Sequence, residues 1–439
     1  MLMKPGAPAT MARFRFFNGR RTELGRIRDR GPLNEMKPTA PPLAFADWEL
    51  RKLSANASTI DERLSGGYIA IETAASSRKA EHQMSALCSA STAGDRLLFE
   101  QRLETDGFDV NAIAPLLGDV QLAENRTLPA WAETFRWIFD QIAYGEQTQD
   151  LSVLAEPKYP LRVQELFLPV VKAARERRDL ASTEQIALLS ETAQLQLQRS
   201  LLRDLCRLFE MTFTEWLNLV ETSDRQPASL HQGRACHGAD APGSLTSSNK
   251  SLRIGELKDL FCTFPVLARL LATLTEHWMS ATAEFIERLH VDYFLIQEQL
   301  NNNKSLGLIT NIEPRISDPH DGGRTVFKVT FADNLSIAYA PKDLGQAAAW
   351  RNLLDWLDGE GAPRSADAPI VIERGGYGWV EWIETEPCAS DVGTARFFRR
   401  AGALQCLFQL LQGIDFHCDN IVAREEAPVP VDLETLMHP

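Results

Sequence analysis

Apolar residues recur at helical spacing through most of the first three hundred positions. In residues 130–142, Trp131, Phe135, Ile138 and Phe139 share one face of a predicted helix. Residues 186–220, opened by Thr183-Glu184, carry Leu188, Leu189, Leu195, Leu197, Leu201, Leu202, Leu205 and Leu208 with the same period, and the stretch is predicted to form two helices. Residues 255–300 repeat the pattern with Leu257, Leu260, Phe261, Leu267, Leu270, Leu271, Leu274, Trp278, Phe285 and Leu289. Stripes of this kind are core faces of globular helices. Residues 223–250, rich in Ser, Gly, Ala and Pro, read as an exposed loop.

From residue 306 the texture changes. Residues 312–316, 325–331 and 335–339 read as short strands, with turns at Gly322-Gly323 and Ala332-Asp333-Asn334. A helix is predicted over 346–357, strands over 371–372 and 379–383, and an apolar helix over 395–412. Short strands at 421–423 and 429–431 end the series. Helices, then a mostly antiparallel sheet with one helix, then helices again define an α+β chain rather than alternating β/α. Three segments result: a basic extension (1–44), a helical region (45–305) and a sheet-containing core (306–439).

Charge and cysteine content narrow the class. The formal net charge is −13, which argues against a general nucleic-acid binder. Residues 1–35 run against that balance, with Lys4 and seven arginines; they read as a disordered extension, with a basic arm or a start at Met36 as alternatives. Seven cysteines, none in a C-x-x-C pair, suit a reducing cytoplasm better than a disulfide framework. His231, Cys236 and His237 lack further ligands at zinc-site spacing. No apolar run reaches transmembrane length, and no secretory h-region opens the chain.

The chemistry concentrates near the end. Asp415, His417 and Asn420 form D-x-H-x-x-N before a short strand, and twelve residues beyond Asn420 comes D-x-E, Asp432 and Glu434. Phosphoryl transfer needs such a kit: one carboxylate for the attacking hydroxyl, and an amide oxygen and a second carboxylate for magnesium. The order and spacing resemble the lipid-kinase version, D-R-H-x-x-N followed by D-F-G. Upstream, Asp318 and His320 precede Gly322-Gly323, glycines that let hairpin amides approach phosphate or merely form a turn. Lys342 follows a strand, where it can bind phosphate or sit in solvent. Trp379 and Trp382 flank Val380-Glu381 in a strand against which a nucleotide base could lie, or which simply packs in the sheet.

The blocks IEPRISDPHDGGRTV, Y-x-P-K, YGWVEWIETEPC, LLQGIDFHCDNIVA and PVDLETLMHP together resemble the dehydratase domain of class II lanthipeptide synthetases over 306–439. The helical 45–305 resembles that family's N-terminal region only in general character. The resemblance implies a lipid-kinase-like N-lobe and the start of a C-lobe. It also implies phosphorylation of Ser and Thr in a precursor peptide with ATP and Mg2+, followed by phosphate elimination. Zinc belongs to a separate cyclase domain, expected on a downstream chain. By position, Asp415 orients the substrate hydroxyl, and Asn420 and Asp432 hold magnesium. Asp318 and His320 match the family's upstream D-x-H, His417 its catalytic loop and Glu434 its D-x-E pair; Lys342, Gly322, Gly323 and Glu381 remain the candidates for the nucleotide side on the reading of the residues above.

Two departures accompany it. The family shows Y-K-P-[RK], whereas Tyr339-Ala340-Pro341-Lys342 stands here. The family's chain also continues beyond D-x-E, so the sequence is expected to be truncated and to make no thioether ring. A non-catalytic peptide- or partner-binding fragment is the alternative. A metallophosphoesterase, suggested by the two D-x-H motifs, lacks the β/α alternation it needs.

Overall fold

Local signals start most of the helices. The computed structural model describes residues 44–145, 154, 158–180, 185–224, 254–362 and 365–437, all within one compact unit, Leu43–Pro439. The first helices are α1 (Asp47–Asn56), α2 (Ala74–Thr92), α3 (Arg96–Thr105) and α4 (Val110–Leu116). Thr73 caps α2 by accepting from the Ser76 amide, and Asp95 caps α3 through Leu98. Two strands that periodicity missed, β1 (Tyr68–Ala70) and β2 (Val120–Leu122), pair antiparallel. At three residues each they are too short to show alternation.

α5 (Ala130–Tyr144), α7 (Glu191–Asp224), α8 (Ile254–Thr263) and α9 (Pro265–Leu300) bury most of the expected stripes, Leu270 being exposed, and α6 (Leu161–Asp179) packs with them. Phe135, Phe139, Phe209 and Phe261 meet edge-on or tilted in their shared core. The two helices expected over 186–220 are one, α7, after a single 3-10 turn at Gln185–Leu188. No Gly or Pro interrupts 191–224, so nothing in the backbone ends the helix early. The basic residues 1–35 and His231, Cys236 and His237 of the expected loop lie outside the described residues.

The fold is α+β. Strands β3 (Ile309–Glu313), β4 (Phe327–Phe331), β5 (Ser336–Ala340), β6 (Val371–Glu373) and β7 (Gly378–Glu381) form one antiparallel sheet in the order β3-β4-β5-β7-β6. The first strand starts and ends earlier than expected, because Pro314 cannot donate to the ladder and Arg315 turns left-handed at φ 65°. Alternation sends Phe327, Val329, Phe331, Ile337 and Tyr339 inward. Phe285 of α9 meets them, its ring centre 4.9 Å from Phe327 and 5.2 Å from Tyr339. The Gln196 side chain of α7 accepts from the Ile312 amide at 2.7 Å. Helices and sheet thus share one core across residue 306.

Asp292 of α9, 1% exposed, fastens the far edge. Its Oδ2 accepts from Tyr377 Oη and Trp379 Nε1, both at 2.9 Å, and Arg374 Nε lies 3.0 Å from Oδ1.

After β5 comes α10 (Gly345–Gly359); after β7 come α11 (Asp391–Leu410) and a hairpin of β8 (Ile421–Arg424) with β9 (Ala427–Pro430). A second core joins them: Trp350 and Leu354 of α10, Leu404 and Phe408 of α11, and Leu433 and Leu436 beyond β9. Phe408 stacks on Phe416 with ring centres 3.6 Å apart. That stack plants the loop after α11 on the second core.

Candidate active site

The loop after α11 is shaped by unusual backbone positions. At Gly413 a Cβ would lie 2.6 Å from the Phe416 ring and 2.9 Å from Leu436, so the chain can pass only without a side chain there. Asp415 follows in the left-handed region, φ 65°. Its carbonyl accepts from Asn420 Nδ2 at 2.9 Å, and its carboxylate is 3.6 Å from His417 Nε2. His417 Nδ1 accepts from the Asp419 amide at 3.2 Å. Asp415, His417 and Asn420 therefore share one compact turn.

Backbone bonds tie that turn to the D-x-E segment. The Val431 amide donates to the Asn420 carbonyl at 3.0 Å, and the Met437 amide to the Leu411 carbonyl at 2.8 Å. Thr435 Oγ1 donates to the Ile414 carbonyl. Leu433 and Leu436, each 6% exposed, anchor the segment in the second core and leave Asp432 and Glu434 facing outward.

Lys342, two residues past β5, meets them there. Its Nζ is 3.0 Å from Asp432 Oδ1 and 2.8 Å from Glu434 Oε2. Burial pulls the ammonium pKa down, but the hydrogen bond to Glu434 and the charge of Asp432 outweigh it, so the pKa stands above the ordinary lysine value. Asp432 and the Asn420 amide oxygen are hard donors of the kind magnesium takes, while Asp432 and Glu434 are both paired with the Lys342 ammonium and the Asn420 amide nitrogen is bonded to the Asp415 carbonyl.

The upstream motif sits elsewhere in the sheet. Asp318, His320, Gly322 and Gly323 occupy the β3–β4 connection, closed by paired backbone bonds between His320 and Arg324. Gly322 and Gly323 have φ 80° and 83°, and Gly323 passes so close to His277 of α9 that a Cβ would lie 2.8 Å from the histidine Cβ. Arg324 Nε donates to Glu284 of α9 at 2.8 Å. Glu284 also pairs with Arg288, which donates to Tyr339 Oη at 2.6 Å. Burial pushes the Tyr339 phenol up to about 12, against the Arg288 hydrogen bond. No hydrogen bond or ion pair among the described residues joins this connection directly to Lys342, Asp415 or Asp432.

Glu381 is engaged on another side. Its Oε2 accepts from the Ile370 amide at 3.0 Å and its Oε1 from Arg424 at 3.2 Å, while Arg424 also holds Asp367. These groups line a cavity of about 250 Å³ with Arg351, Asp355 and Asp358. Two side chains that motif reading passed over, Cys418 and Asp419, belong to the same turn: the ligand atoms of His417, Cys418 and Asp419 lie within 4.8 Å of one another, all exposed. Their adjacency in sequence was the available signal.

Residues 264–439 match a domain of unknown function, DUF4135. Over 191 residues, 42% of this chain, the sequence is 24% identical to a lacticin 481/lactococcin biosynthesis protein from Lactococcus lactis subsp. lactis. The aligned stretch spans 20% of that protein's length. No helix of the described residues is long and apolar enough to cross a membrane.

Proposed function

We propose that the chain takes part in lantibiotic biosynthesis, as the kinase-like part of a lanthipeptide synthetase dehydratase that phosphorylates Ser and Thr of a precursor peptide with ATP and Mg2+. The observation that carries this is the meeting of Lys342 with Asp432 and Glu434. Protein kinases place a phosphate-binding lysine on the third strand of the N-lobe sheet and follow it with a helix. Here Lys342 follows the third strand of the sheet, and α10 begins three residues later. The kinship with a lacticin biosynthesis protein supports the peptide as acceptor.

In this reading Asp415 accepts the proton of the attacking hydroxyl, with His417 beside it. Asn420 and Asp432 hold magnesium, which would offset charge on the transferring phosphoryl group. Lys342 binds phosphate. The Gly322-Gly323 turn, with Asp318 and His320, lends backbone amides to the phosphate side, and Glu381 braces the sheet edge beside the base. A cyclase-bearing chain and a cytoplasmic setting complete the proposal.

A partner-binding role without catalysis is the second reading. It is favoured by the outer face of α11, where Val392, Phe398 and Leu410 are each about two-thirds or more exposed. Incubating the full chain with ATP, magnesium and a lanthipeptide precursor separates the two. Peptide mass should rise by phosphoryl groups with the wild type and not with Asp415→Asn. No transfer by the wild type, or equal transfer by both, contradicts the kinase reading.

A further inference from the structure

Lys342 has two carboxylate partners, and they are not equivalent. Both lie within hydrogen-bond distance, and what differs is their surroundings. Asp432 directly follows Val431, whose amide is bound to the Asn420 carbonyl, so it is the acid next to the amide ligand. Glu434 lies two residues further along, on a turn whose flanking side chains, Leu433 and Leu436, are buried and whose neighbour Thr435 is bonded to Ile414. It sits on a rigid mount.

The helix that follows the lysine offers no alternative. In protein kinases that helix supplies a glutamate that pairs with the lysine. The acids of α10 are Asp355 and Asp358, late in the helix, and both line the Arg351–Arg424 cavity. What α10 presents at its start is Gln346, whose Nε2 donates to the Leu436 carbonyl at 2.8 Å. The helix thus fastens the backbone that carries Glu434 instead of reaching Lys342 itself.

We infer that Glu434 is a positioning residue that holds the Lys342 ammonium toward nucleotide phosphate, leaving Asp432 to the metal; this rests on the phosphoryl-transfer reading. With a cation on Asp432, the lysine keeps one fixed carboxylate partner and stays aimed. Loss of Glu434 frees it without removing a metal ligand.

Three measurements on the full chain test this. Lys342 modification by an amine-reactive reagent, read by mass spectrometry without nucleotide, should rise about two- to fivefold in Glu434→Gln, the scale of one partly exposed ion pair. Manganese binding, followed by electron paramagnetic resonance, should stay within about twofold in Glu434→Gln and be lost in Asp432→Asn. Magnesium-dependent affinity for a fluorescent ATP analogue should fall in Glu434→Gln and in Lys342→Met, and the double variant should be no worse than Lys342→Met alone. Unchanged labelling, manganese loss in Glu434→Gln, or multiplying losses in the double variant would each overturn the inference. A wild type that binds no nucleotide overturns the phosphoryl-transfer reading, and with it the purpose assigned to the pair, while labelling still reports whether the pair exists.

Discussion

Lys342 Nζ and Asp432 Oδ1 lie 3.0 Å apart although ninety positions separate them in the chain. The contact joins the end of the sheet's third strand to the segment beyond the last hairpin, and two packing events set it. α10 and α11 share the core of Trp350, Leu404 and Phe408. Leu433 and Leu436 dock the D-x-E segment on that core. The ion pair is partly exposed and contributes little to stability by itself. Its importance in the proposed function lies in placing a cation and two carboxylates together.

Replacing Asp292 tests how firmly the sheet is held to α9. Asp292→Ala should destabilise the fold by about 3 kcal/mol, because it leaves the Trp379 indole N–H, the Tyr377 hydroxyl and Arg374 without their shared acceptor. Asp292→Asn keeps an acceptor oxygen and should lose less than half as much. Urea denaturation midpoints of the two variants give the comparison, and equal losses would show that the pairing is not what matters.

Tyr339 gives the fold a dependence on alkaline pH. Its folded pKa, about 12, exceeds the ordinary value of 10.0, so the native state holds the phenol proton more tightly than the unfolded chain. The stabilisation is fully present below pH 10 and is lost as pH rises toward 12, by an amount on the order of 2 kcal/mol. Unfolding free energies between pH 9 and about 11 should therefore slope more steeply in the wild type than in Tyr339→Phe. Parallel slopes would show that the buried phenol titrates normally.

Gly323→Ala should loosen the β3–β4 connection. The residue has φ 83°, and its added Cβ would press on His277, so strain of about 1–3 kcal/mol falls on a short hairpin. Amide hydrogen exchange across residues 316–326 should accelerate while α9 stays protected. Unaltered exchange would mean that the connection has room to adjust.

Short-range signals made much of this architecture legible. Phe327, Val329 and Phe331 alternate openly, and the Gly322-Gly323 and Asp333-Asn334 turns mark the meander. Asp415, His417 and Asn420 could be grouped because they lie within six consecutive residues and close on one another through local bonds. What pattern reading could not supply was long-range polar contact. Nothing near Asp292 announces that it binds Tyr377 and Trp379, and nothing near Glu284, beyond its i,i+4 pair with Arg288, announces that it holds Arg324. The unbroken course of α7 was hidden for another reason: leucines in a long stripe look the same in one helix as in two. Nor does anything near Glu381 announce its partner Arg424, which lies 43 positions further on.

The central proposal is that Lys342, Asn420 and Asp432 form a magnesium-dependent ATP site. Equilibrium binding of ATP to the purified chain, by calorimetry with and without magnesium, tests it most directly. Saturable binding that requires magnesium is expected in the wild type, with a loss of about tenfold or more, roughly 1.4 kcal/mol, in both Asp432→Asn and Lys342→Met. Absence of binding by the wild type, or equal affinity in all three proteins whether or not magnesium is present, would contradict it.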